Sequence, residues 1–295
     1  MALNLKTLAT RSASAAVFVV LLVGCVYWSY ISFSVFFFLV SMIGLNEFYK
    51  IAEKMGAKPF KVVGFIFGII TYIGVVPLTK FISNPGDDDL DVSVQYSSME
   101  DLQSGFLALI ILCPFILLAT ALFSKKENSI QNALYSLGGI IYAVIPFGLL
   151  NQTVFYDDGC TGAFFTPNLI LGIIFLIWSN DTFAYLGGSL FGKNKMIERV
   201  SPGKTWEGTI IGVLITFGLS FLFNMLYNLG DYTWQILGII VPVLATIGDL
   251  VESKLKREAG VKDSGSIMPG HGGVLDRFDS LIFVSPFVYV LFKLL

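Results

Sequence analysis

Charge is what this sequence has least of. Asp, Glu, Lys and Arg make up 14% of its 295 residues, against roughly 25% in an ordinary soluble domain, and the mean hydropathy is +0.76. That composition excludes a water-soluble globular protein. A net charge of −2 offers no positive excess to a nucleic-acid partner. Cysteine is scarce as well: Cys25, Cys113 and Cys160 share no metal-ligand or redox spacing, and each lies in or beside an apolar stretch, so they read as structural. No tandem repeat is visible. With the apolar segments removed, no soluble domain of useful length remains, so the chemistry must take place in or beside a membrane.

What the chain does have is long apolar runs. Segments of about 17 to 25 residues, the length that carries a helix across about 30 Å of hydrocarbon, fall near residues 12–28, 32–49, 62–79, 105–123, 133–150, 168–187, 208–229, 234–250 and 280–295. The fold class expected is all-α: a polytopic integral membrane protein of about nine transmembrane helices. Residues 1–150 would form an N-terminal group of about five spans, and 151–295 a C-terminal catalytic region with two cytoplasmic loops. Basic residues test this count, because cytoplasmic loops accumulate Lys and Arg. With the N-terminus placed inside, every basic residue except Lys80 and Lys293 falls on the inner side, and the C-terminus faces out.

The outward segment from Asn84 to Asp101 is acidic, rich in turn residues and without a base, and is expected to be a solvated loop. Near the start, Lys6 and Arg11 before an apolar run ending at Cys25 resemble a signal peptide with a lipid-attachment cysteine. The run continues through Val26, Tyr27 and Trp28, as a span with an interfacial aromatic anchor would.

Acids at the ends of spans are expensive and therefore functional candidates. Glu47, Asp181, Asp249 and Glu252 all occupy predicted cytoplasmic ends. A continued eighth helix would align Asp249, Ser253 and Lys256 on one face. Beyond it, a stretch rich in glycine, suited to close backbone approach to a ligand, leads to Asp276 and Asp279 at the same interface. Asp249 and Asp276 could hold Mg2+, which takes one or two carboxylates plus substrate phosphates and water. Lys256, Arg257, Lys262 and Arg277 could bind phosphate oxygens. A positive-inside loop would need only the bases; the interleaved acids and glycines point to phosphoryl chemistry.

A second cluster runs from Asn194 to Gly208. Gly203-Lys204-Thr205 looks like the end of a P-loop, but that pattern requires glycine where Glu198 stands. Ser201, Lys204 and Thr205 are candidate ligands for a lipid head-group phosphate, while Ser201-Pro202 could equally cap a helix with Glu207 in its first turn. The lone histidine, His271, lies between glycines and suits binding or loop ordering more than base catalysis, since an attacking phosphate is already anionic.

Taken together, Ser253-Lys254-Leu255-Lys256-Arg257, Lys262-Asp263, Pro269, His271-Gly272-Gly273, Asp276-Arg277 and Asp279 resemble the signature of the phosphatidate cytidylyltransferases, or CDP-diacylglycerol synthases. Ser201 to Glu207 and Asn180-Asp181-Thr182-Phe183-Ala184-Tyr185 add support, with Gly203 departing from a position commonly polar or basic. The strong resemblance covers roughly the C-terminal 120 residues. It implies transfer of CMP from CTP to phosphatidic acid with release of pyrophosphate, at the cytoplasmic face of the bilayer, in the inner membrane if the source is bacterial. It implies a homodimer and an Mg2+ centre built on Asp249 and Asp276, open to a second cation. Asp249, Asp276, Lys256, Arg257 and His271 are the expected catalytic group. Ser201, Lys204, Thr205, Asp181, Ser253, Lys262, Asp263, Gly272, Gly273, Arg277 and Asp279 are expected to bind substrate. Two other readings stand beside this one. A transporter would place charges near mid-membrane and break its helices in pairs, and neither is visible. A related enzyme acting on another lipid would share the phosphate-binding residues.

Overall fold

The computed structural model describes residues 5–78, 90–157, 163–227, 232–267 and 272–294. Among them are ten helices: α1 (Leu5–Trp28), α2 (Tyr30–Lys54), α3 (Lys61–Val75), α4 (Leu90–Phe123), α5 (Ser129–Ala143), α6 (Ile145–Thr153), α7 (Pro167–Phe191), α8 (Trp206–Leu226), α9 (Thr233–Glu258) and α10 (Leu275–Leu294). Four short strands pair as two antiparallel ribbons, β1 (Phe155–Asp157) with β2 (Ala163–Phe165) and β3 (Lys195–Ile197) with β4 (Ser201–Thr205). Each predicted apolar segment overlaps a helix, the fifth divided between α5 and α6 at Val144 and the third running past the end of α3 at Val75. Among the described residues, six stretches are long and apolar enough to cross a membrane: Tyr30–Lys54, Met99–Phe123, Ser129–Thr153, Pro167–Phe191, Trp206–Leu226 and Thr233–Glu258. Ser14–Trp28 and Lys61–Val75 are apolar but shorter. This is a polytopic helical membrane protein.

One expectation fails in the first half. Residues 90–101, predicted as part of an outward loop, belong to α4, a helix of 34 residues. The sequence from Leu90 to Gln103 contains neither glycine nor proline, so nothing in it ends the helix that the apolar span begins.

The chain separates into two compact units, residues 1–152 with 263–275 and residues 153–262 with 276–295. In the first, α2 is the central element. Ser29 caps it in a reciprocal box with Ser32, the two backbone amides donating to the opposite hydroxyls at 3.0 and 3.1 Å. Phe33, Phe37, Leu45 and Tyr49 recur on its buried face at the helical spacing that makes one stripe. Phe37 stacks on Phe147 of α6 with ring centres 5.4 Å apart. Two buried tyrosines are paired: Tyr49 donates to the Ser136 carbonyl at 2.9 Å, and Tyr72 to the Ser34 carbonyl at 2.6 Å.

In the second unit, α7 and α8 lie close because small residues face each other. A methyl group on Gly208 would sit 2.8 Å from the Gly188 Cα, the contact by which helices pack without large side chains between them. The β3–β4 ribbon precedes α8, pairing Lys195 with Thr205 and Ile197 with Ser201 around an irregularity. Glu207, in the first turn of α8, accepts from the amides of Lys193 and Asn194 and from the Asn194 side chain at 2.6 to 3.2 Å. The ribbon is thereby fastened to the helix it leads into.

Candidate active site

The site is built in the second unit on the C-terminal continuation of α9. That helix runs without interruption to Glu258, so Asp249, Ser253 and Lys256 do share one face, and the Ser253 hydroxyl donates to Asp249 Oδ1 at 3.1 Å. It stops where Gly260 takes a φ of 67°. The Val261 amide then bonds the Lys256 carbonyl and the Gly260 amide the Arg257 carbonyl, at 2.9 and 3.1 Å, which is the pairing of a glycine-terminated helix end.

α10 returns beside it at close range. A methyl group on Gly248 would lie 2.8 Å from the Asp279 carbonyl oxygen and 2.7 Å from Phe283 Cβ, so glycine at 248 is what lets the two helices meet. Their approach brings one carboxylate oxygen each from Asp249, Glu252 and Asp279 within 4.8 Å of one another. Asp181 of α7 interacts with Asp249 and Lys204, and Asp279 with Asp249, Asp181 and Lys256. Five carboxylates, counting Asp276, therefore crowd around two ammonium groups.

Each ammonium is held between neighbours. Lys204 Nζ lies 2.6 Å from Asp249 Oδ2 and 3.4 Å from the Thr246 carbonyl. Lys256 Nζ lies 2.6 Å from both Glu252 Oε2 and Asp276 Oδ1. Asp276, expected beside Asp249, is thus bonded to Lys256. The Glu252 side chain is only 1% exposed, and its second oxygen, Oε1, is buried without a hydrogen-bond partner. An anionic oxygen in that position is costly unless a cation or donor reaches it.

The remaining expected residues are placed as follows. Ser201 and Thr205 are at the two ends of β4, and Thr205 is buried with its hydroxyl accepting the Gly208 amide at 3.2 Å. The cap of α8 is therefore Thr205; Ser201-Pro202 lies in a strand, where it cannot cap. Arg257 is exposed and donates to the carbonyls of Val200 and Val261 at 3.4 Å. Lys262, Asp263 and Arg277 are exposed. Gly272 takes a φ of 84° and Gly273 is buried, both in the 263–275 segment of the first unit. His271 and Pro269 lie outside the described residues. Glu252 stood out in the sequence only as an acid near a span end; its spacing to Asp249 and Lys256, three and four residues along one helix face, is the signal that could have placed it.

The cytidylyltransferase family model matches residues 90–295, which include every residue of this cluster. The chain belongs to the cytidylyltransferase family. Similar cytidylyltransferases are the phosphatidate cytidylyltransferases of Staphylococcus haemolyticus, 39% identical over 184 residues, and Staphylococcus saprophyticus, 38% over 197 residues. The first alignment covers 62% of this chain and 67% of the relative, the second 66% and 71%. That of Staphylococcus aureus is 39% identical over 186 residues, again 62% of this chain and 67% of the relative. Like the family, this chain is a nucleotidyltransferase.

Proposed function

We propose that this cytidylyltransferase is a phosphatidate cytidylyltransferase, transferring CMP from CTP to phosphatidic acid at the cytoplasmic face of the inner membrane and acting as a homodimer. The observation that carries the reading is the convergence of Asp249, Glu252 and Asp279 beside Lys204 and Lys256, in a chain whose relatives are named for that activity. A phosphate oxygen of phosphatidic acid attacks the α-phosphorus of CTP, the bond from that phosphorus to the bridging oxygen breaks, and pyrophosphate leaves.

The donors suit a hard divalent ion. All are carboxylate oxygens, and the unpartnered Glu252 Oε1 is the kind of buried atom a cation would satisfy. Asp249, Glu252 and Asp279 would hold Mg2+, with Asp276 serving the same centre and leaving room for a second cation. Bound there, the ion would neutralise charge on the phosphates during displacement. Lys256, Arg257, Lys262 and Arg277 are assigned to the triphosphate, and Lys204 with Ser201 to the lipid phosphate. Asp249 and Asp276 hold the two lysines at fixed distance, so that bases face the anionic substrates already oriented.

The purified chain, in mixed micelles containing phosphatidic acid, should convert labelled CTP to CDP-diacylglycerol, with Mg2+ required and chelator abolishing turnover. Asp249→Asn should remove activity and leave membrane insertion intact. Turnover of a different lipid phosphate, with none of phosphatidic acid, would reassign the substrate. Full activity of Asp249→Asn would remove Asp249 from the metal centre.

A further inference from the structure

Within the first unit a second buried acid has a different task. Glu47, on the buried face of α2, is 1% exposed. Its carboxylate accepts three hydrogen bonds, all from the segment 263–275: the Ser264 hydroxyl at 3.0 Å, the Val274 amide at 3.0 Å and the Leu275 amide at 2.9 Å. Two donors are successive amides at the start of α10, where a helix leaves N–H groups unsatisfied and favours negative charge. The third comes from the other end of the same loop. One carboxylate therefore ties both ends of the loop together, from more than 200 residues away in sequence.

Glycines make room for it. A methyl group on Gly273 would lie 2.5 Å from both Glu47 oxygens, and one on Gly265 2.9 Å from Glu47 Cδ and 3.2 Å from the Gly273 Cα. At these two positions the glycine content of the loop serves the internal carboxylate. The loop so closed includes Gly272 and Gly273, follows directly on Lys262 and Asp263, and delivers α10 at Leu275, one residue before Asp276.

We infer that Glu47 is a positioning residue for the nucleotide reaction: by holding Ser264, Val274 and Leu275 it sets where α10 begins, and so how Asp276 and Asp279 on that helix are presented to CTP. This rests on the proposed cytidylyltransferase reaction. A carboxylate here cannot be exchanged for its amide without loss, because Gln presents one acceptor oxygen to two backbone donors and turns an N–H2 group toward the third or toward a glycine backbone.

The test uses the full chain in mixed micelles. Glu47→Gln should lower kcat/KM for CTP about 10- to 100-fold, with the KM for phosphatidic acid unchanged within about twofold. Hydrogen exchange at the Val274 and Leu275 amides should speed up while α3 to α6 keep their protection. Ser264→Ala, which removes one donor only, should shift both readouts the same way by less. The inference is overturned if Glu47→Gln leaves loop exchange and CTP kinetics unchanged, if both KM values rise together, or if lost activity merely tracks lost folded protein. If the parent chain fails to turn over CTP and phosphatidic acid, the proposed reaction falls, whereas the loop clamp is still judged by exchange alone.

Discussion

Lys256 shows how far one residue's role depends on neighbours that the sequence does not announce. Its Nζ is shared by Glu252 and Asp276 at 2.6 Å each, and its side chain is 11% exposed. Removing the ammonium would leave two nearly dry carboxylates facing each other, and breaking a buried ion pair from one side costs about 3 to 5 kcal/mol. Lys256→Met should therefore lose turnover and lower the thermal midpoint in detergent, whereas exposed Lys262→Met should affect CTP kinetics alone. Equal stability of the two variants would show that the Lys256 bridges contribute little. Glu252 makes a separate case. With Oε1 unpartnered, Glu252→Gln should keep the fold and raise the Mg2+ concentration for half-maximal activity about tenfold or more. An unchanged Mg2+ requirement would take Glu252 out of the cation site.

At the scale of elements, legibility followed the range of the forces involved. Helices showed in the sequence because an apolar run of membrane length is a strong local signal, and the alignment of Asp249, Ser253 and Lys256 followed from helical spacing alone. The β3–β4 ribbon was hidden: strands of three and five residues carry too little pattern, so Ser201 read equally as a phosphate ligand or a helix cap, and the cap is made by Thr205. Also hidden was the partnership of Asp249 with Asp279, since it depends on two helices meeting over a single glycine. That contact gives a prediction. Gly248→Ala forces a methyl group against the α10 backbone, an overpacking that costs about 1 to 3 kcal/mol, and should depress turnover by separating the carboxylates. Gly218→Ala, on α8 with no atom within 4 Å of the added carbon, should be neutral or stabilising by up to about 1 kcal/mol. Parallel measurement of melting and turnover checks both; a fully active Gly248→Ala would mean the close approach is not required.

For the whole molecule, the proposed threading of the helices through the bilayer rests on charge distribution more than on apolarity. Lys125 and Lys126 after α4, Lys193 to Lys204 around the β3–β4 ribbon, and Lys254 to Arg277 at the α9–α10 connection all have to lie on one side if positive charge is retained in the cytoplasm. The clustered carboxylates of the proposed site stand beside the last two of these groups, so the proposed threading would put them where CTP is available. Lys293, at the far end of α10, then belongs on the opposite side. Single-cysteine reporters in a background lacking Cys25, Cys113 and Cys160 would decide the matter. Cysteine at Lys126, Lys195 or Lys262 should react with an impermeant maleimide only after the membrane is opened, and cysteine at Lys293 should react in intact cells. Labelling of position 195 or 262 from outside would put the site on the wrong face for a cytoplasmic nucleotide and would overturn the proposed orientation.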